Sequence, residues 1–97
     1  MFKVIEIING NTIRVAPGWI WGEYAGSIVK ITGYDLTEAY DSFAINKLNT
    51  LIKDKVVELK KVVSAEKKEE PKNDILNCAV ILNDVDISQY FPELKVS

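Results

Sequence analysis

The stretch Val4 to Val15, V-I-E-I-I-N-G-N-T-I-R-V, constrains the fold most. Two β-branched runs flank a tight N-G-N turn at Asn9 to Asn11, and Asn-Gly between such runs is a strong short-range signal for a β-hairpin. The pattern predicts one strand over Phe2 to Ile8 and a return over Thr12 to Val15. The next segment, Ala16 to Gly26, carries one proline, three glycines and three aromatics. It reads as a long hairpin tip or as a loop with an irregular strand. Ser27 to Thr32 resumes as a strand, with Val29 and Ile31 on one face and Ile28, Lys30 and Thr32 on the other.

Asp35 to Glu38 is expected to start a helix. Tyr40, Ala44, Leu48, Leu51 and Ile52 recur at the three- and four-residue spacing of one buried stripe, and Lys53-Asp54 ends it. Val56 to Val63 and Ile75 to Leu82 read as further strands. Between them, Ser64 to Asp74 holds Pro71, many charges and no apolar residue larger than Ala65, as an exposed loop would. A turn at Asn83-Asp84 precedes Val85 to Phe91, a short strand and a helical turn stopped by Pro92. The set predicts a mainly β fold with one principal helix (α+β), closed as a five-stranded OB-type barrel with the helix packed at an opening.

Ninety-seven residues fit one domain, 1–97, able to bury a modest core without disulfides. No apolar run approaches the ~20 residues of a spanning helix, so no membrane partner is expected and the chain reads as cytoplasmic, or as a piece of something longer. Cys78 lies in an apolar run and reads as a buried, inert thiol. Histidine is absent, which removes His-based triads and imidazole zinc sites. Arg14 is the one arginine among twelve basic residues, and lysine does not reproduce the guanidinium fork that stabilises phosphoryl charge. A net charge of −2 gives no global pull on a polyanion.

Val4 to Val15, Val29 to Glu38, Asn46 to Leu59 and Asn77 to Ser88 together resemble the staphylococcal nuclease-like family: its strand, D-G-D-T turn and returning strand, its strand leading to a D-x-P-E motif, its helix end with the following strand, and its late strand. The resemblance implies that family's OB barrel, with the metal positions falling on Asn11 and Asp35, the general base on Glu38 and the first arginine on Lys30. Thr37 replaces the motif proline. The second arginine would fall near Asp74 or Ile75, with Lys72 the nearest cation. One calcium carboxylate and the guanidinium pair are thus missing, so neither a catalytic site nor a metal site is expected and no cofactor is called for. Calcium enters only under the alternative reading of a calcium-dependent phosphodiesterase acting on DNA or RNA.

The surviving residues also have plainer readings. Asp35, Thr37 and Glu38 suit a helix start, where side-chain oxygens cap free amides and carboxylates meet the positive helix end. Asn9 and Asn11 suit left-handed turn positions, and Lys30 suits a solvated strand face. Trp19 and Trp21 alternate around Ile20 and share one face of an extended segment. With Tyr24 they form a candidate contact surface flanked by Arg14 and Lys30. Base stacking needs cations beside the rings, yet Ala16 to Gly26 has none. A protein partner or self-association is therefore favoured over nucleic acid as ligand, and covering one end of the barrel is the favoured reading of the rings themselves. The expected function is a non-catalytic binding module.

Overall fold

The computed structural model describes residues 1–68 and 73–94. Six strands appear in the order β1 (Phe2–Asn9), β2 (Thr12–Trp21), β3 (Tyr24–Ile31), β4 (Val56–Glu66), β5 (Ile75–Leu82) and β6 (Val85–Asp86), with the helix α1 (Asp41–Leu51) between β3 and β4. β1 pairs antiparallel with β2 and with β4, β2 with β3, and β4 with β5. A parallel pairing of β3 with β5, from Ile28 opposite Ile75 to Ile31 opposite Cys78, closes the ring. The result is a five-stranded closed barrel of the OB type with one main helix, and β6 adds only a short hairpin to β5.

The strand alternation does what the sequence pattern dictates. Val4, Ile13, Val15, Val29, Ile31, Val57, Leu76, Cys78 and Val80 point inward and are buried. Their neighbours Lys30, Lys60 and Glu66 face solvent. Ala44, Leu48 and Ile52 of the helix stripe seal one opening and are fully buried, each large aliphatic contributing about 1.5–3 kcal/mol by burial. Tyr40, expected in that stripe, is 47% exposed instead. It belongs to a separate 3-10 turn, Glu38–Tyr40, ahead of α1, so its side chain is out of phase with the helix.

Helix entry also differs from expectation. Neither Thr37 before the 3-10 turn nor Tyr40 before α1 caps with its side chain, and Asp35 lies outside any helix, its amide donating to the Leu94 carbonyl at 2.9 Å. The carboxylate in the first turn of α1 belongs to Asp41, and its Oδ1 accepts the Gly10 amide at 2.9 Å. The β1–β2 turn is built differently too. Neither Asn9 nor Asn11 is left-handed; Asn9 Oδ1 accepts the Asn11 amide at 3.0 Å, so the side chain shapes the turn in place of positive φ. Asn83 and Asp84 do take positive φ, 51° and 66°, as a two-residue β5–β6 hairpin turn requires.

β4 continues to Glu66, so Ser64 to Glu66 are strand and not loop. Lys60 faces Ala79 and Ser64 faces Asn77; β4 thus advances four residues while β5 advances two. Lys61 at φ 52° sits in this bulge, which bends β4 around the barrel. Pro71 and Lys72 lie outside the described residues. The helical turn Ile87–Tyr90 ends ahead of Pro92, as expected, and Pro92 then opens a second 3-10 turn, Pro92–Leu94. Its missing N–H is no loss at a first helical position.

Candidate functional site

Two ends of the β2–β3 ribbon carry the candidate residues. At the first end, Gly10 is buried in the β1–β2 turn. The Tyr34 hydroxyl donates to its carbonyl at 2.7 Å while Asp41 takes its amide. A Cβ at Gly10 would come within 2.7 Å of Leu36 Cδ1 and 2.8 Å of Ala44 Cβ, so only glycine lets the helix approach this closely. Tyr34 stacks on Phe91 with ring centroids 4.4 Å apart, and burial pushes its phenol well above the usual tyrosine range.

Beside this clamp lies a hollow of about 350 Å³ whose lining includes Asn11, Lys30, Thr32, Asp35 and Asn77. Three of the four positions implied by the nuclease resemblance therefore meet: Asn11, Lys30 and Asp35. Glu38 is exposed on its 3-10 turn and does not line the hollow. Cross-strand register explains the meeting, because Lys30 on β3 stands opposite Thr12 on β2 and Asn77 on β5. An adjoining hollow of about 480 Å³ shares Asn11, Lys30 and Leu36 and reaches Ile28, Ile75, Glu66 and Lys68.

The donor set fits calcium poorly. Calcium takes about 6–8 oxygens with carboxylates supplying the charge, whereas Asp35 is the one carboxylate in the smaller hollow. Asn11 Oδ1 already accepts the Thr12 hydroxyl at 3.1 Å. Among the described residues no three His, Cys, Asp or Glu side chains come together as a metal-binding group. At the place implied for the second arginine stand Asp74 and Ile75; Lys72 lies outside the described residues.

At the other end, β2 and β3 extend beyond the barrel to a two-residue turn, with Trp21 opposite Tyr24. Gly22 takes φ +60° at the first turn position, which a type II′ hairpin reserves for glycine. The two tryptophans part company here. Trp19 is 3% exposed and its Nε1 donates to the Ile28 carbonyl at 3.0 Å, so this ring belongs to the core. Trp21, two residues further out, passes the rim: it is 40% exposed and stacks on Tyr24 at 6.0 Å. Ile20, on the opposite face, is 82% exposed. Arg14 is occupied, with Nε 2.9 Å from Glu6 Oε1 and Nη1 3.3 Å from Ser27 Oγ. The candidate contact residues thus divide among core, tip and hollow.

Sequence reasoning missed the strap that holds this tip. Asp74 is 7% exposed; its Oδ2 accepts the Ala25 amide and its Oδ1 the Lys68 amide, both at 3.2 Å. The Lys68 amide, then the Ala25 amide and the Lys67 ammonium, hold its carboxyl below the usual range against the opposing effect of burial. Asn73 adds a second tie, its Oδ1 accepting the Ser27 amide at 2.7 Å and its Nδ2 donating to Ser27 Oγ at 3.0 Å. Lys67 lies over the Tyr24 ring at 5.1 Å. In the sequence these residues are part of one charged run, and nothing in their spacing singles out Asp74. Cys78 is buried, and burial pushes its thiol up to about 12, which matches an inert core thiol.

Among the described residues no helix is long and apolar enough to cross a membrane. No protein-family model, curated protein or solved structure shows significant similarity to the chain.

Proposed function

We propose that the chain is a non-catalytic, staphylococcal nuclease-like OB barrel that serves as a binding module, with a protein as its partner. The hairpin tip carries the reading: Ile20 and Trp21 are exposed there, with Tyr24 stacked against Trp21. Aromatic anchors beside aliphatic surface are the usual core of a protein contact. Between Ala16 and Gly26 the chain supplies no lysine or arginine, and Lys67 is the cation that approaches, over Tyr24. A polyanion would find little to neutralise it there. The strand order and the meeting of Asn11, Lys30 and Asp35 support the nuclease-like reading. The position of Glu38 outside their hollow supports loss of catalysis, since a general base acts within hydrogen-bond reach of its substrate or through one water.

The runner-up, a calcium-dependent phosphodiesterase, draws on that same hollow. Incubating the protein with single-stranded DNA and with RNA, with and without calcium and beside a Glu38→Ala control, decides between them. The expected result is no cleavage in any arm. Calcium-dependent turnover that disappears in Glu38→Ala would overturn the module reading. In parallel, a protein ligand at the tip is expected to shift tryptophan emission through Trp21, because the Trp19 ring is already sealed in the core.

A further inference from the structure

The two flanks of the β2–β3 tip are guarded unequally. On the β3 flank the Ala25 and Ser27 amides, which face away from β2, are capped by Asp74 and Asn73 side chains. In an antiparallel pair, opposed residues either exchange both backbone bonds or both turn away. Ile20 stands opposite Ala25, so its N–H and C=O also turn outward, on the β2 flank. Among the described residues nothing meets them there. The β1 register on β2 ends with Lys3 opposite Ala16, and no described strand pairs with β2 beyond that point except β3. Proteins usually blunt such an edge with lysine, a bulge or a covering segment. Here Pro17 and an irregular register between Arg14 and Trp19 guard only its start; beyond them, among the described residues, the edge from Trp19 to Trp21 has no such device, and the Ile20 side chain stays 82% exposed.

A shallow trough of about 490 Å³ crosses the same ribbon, lined by Gly18, Ile20, Ala25 and Gly26 among others. Gly18 is needed where it is, since a Cβ would stand 2.8 Å from the Gly26 carbonyl oxygen. We propose that the Gly18–Trp21 edge accepts an extended apolar segment of a partner protein as an added strand, one of its side chains entering the trough and a basic residue meeting Glu23. This deepens, and rests on, the reading of the chain as a protein-binding module. Strand addition takes affinity from backbone bonds and specificity from pockets for alternate side chains, and the edge and trough supply one of each. Glu23 is the only charged residue from Ala16 to Gly26; Lys67, which reaches its carbonyl oxygen at 3.4 Å, is paired with Asp74, so the Glu23 carboxylate is the charge that a basic residue of the partner answers. A second copy of the chain is the poorer occupant. It would bring another Glu23 in place of a cation, and a four-residue edge falls short of the ~1,200 Å² that a stable interface buries.

The test selects a phage-displayed library of random twelve-residue peptides on the full chain, then titrates the synthesised winners by fluorescence anisotropy. Winners are expected to alternate apolar residues and to carry lysine or arginine. Ile20→Pro removes an N–H that the free protein does not use, so its unfolding midpoint should hold while binding weakens by at least about tenfold. Ile20→Lys, which guards the edge with charge, should weaken it comparably. Glu23→Gln should weaken binding severalfold and flatten its salt dependence. Winners that bind wild type and Ile20→Pro alike but are lost with Trp21→Ala would overturn strand addition and leave the protein-binding reading standing. Failure to select any peptide, together with Trp21 quenching by a single-stranded DNA twelve-mer, would overturn both. Sedimentation showing a wild-type dimer that Ile20→Pro abolishes would name a second copy as occupant and overturn the proposal.

Discussion

The same two strands end in opposite ways. At the β1–β2 turn, the Gly10 backbone is gripped by Tyr34 and Asp41 and roofed by α1, with no polar group left over. At the β2–β3 tip, one flank is strapped by Asn73 and Asp74 while the other leaves Ile20 bare. The clamped end contributes stability, because its groups are buried and their bonds cannot be replaced by water. The tip instead keeps apolar surface exposed at Ile20 and Trp21, which is what the proposed binding role would use. The hollow lined by Asn11, Lys30 and Asp35 sits beside the clamp, yet the exposed Ile20 and Trp21 lie at the far end of the ribbon.

That contrast is open to measurement, and the largest effect belongs to the clamped end. Phe91 is fully buried against Tyr34, so Phe91→Ala is expected to cost about 3–5 kcal/mol in denaturant unfolding. A loss under 1 kcal/mol would mean that the terminal turns do not belong to the core. Tyr34→Phe keeps the ring and removes the donor to the Gly10 carbonyl, for an expected loss of about 1–3 kcal/mol. Recovery of full stability there would show that water reaches the turn and that the clamp is looser than its geometry.

The strap has a pH signature. Asp74 is held below its unfolded value, so its contribution is present above about pH 4, the ordinary carboxylate range, and is lost as pH falls through its lowered folded value. Thermal midpoints measured from pH 7 to 3 should fall on the acid side, and Asp74→Asn should be less stable at pH 7 with a shallower acid limb. Parallel limbs for the two proteins would remove Asp74 from the account. The smallest stability effect belongs to Trp21→Ala. It should change unfolding by under about 0.5 kcal/mol, as exposed sites do, while lowering affinity for a tip ligand. A loss of several kcal/mol would make Trp21 a core residue and erase the difference between the two ends.

Much of this was legible in the chain. β-Branched and apolar runs over Phe2 to Ile8 and Ile75 to Leu82 placed two strands, alternation over Ser27 to Thr32 placed a third with Val29 and Ile31 on its buried face, and the Ala44, Leu48, Ile52 spacing placed the helix, since local periodicity reports one-sided burial directly. Local pattern could not separate Trp19 from Trp21. Both occupy the same strand phase, and the barrel rim passes between them. Nor did it show that Asn9 would bend its turn through its side chain, or that Asp35 would stay outside the helix. Those outcomes depend on competing bonds from Asp41, Tyr34 and Leu94, all distant in sequence.

The sequence by itself determined the order and faces of the elements and, by withholding histidine and all but one arginine, the chemistry left to the protein. Tertiary structure alone decided which end is sealed and which is open. Strand closure between β3 and β5 brings Asn11, Lys30 and Asp35 to one hollow and leaves Glu38 outside, while Asp74 is drawn from a charged run onto one flank of the tip. A residue's neighbours along the chain fix its preference for strand, turn or helix; only contacts closed across long loops fix whether its polar groups are spent or free.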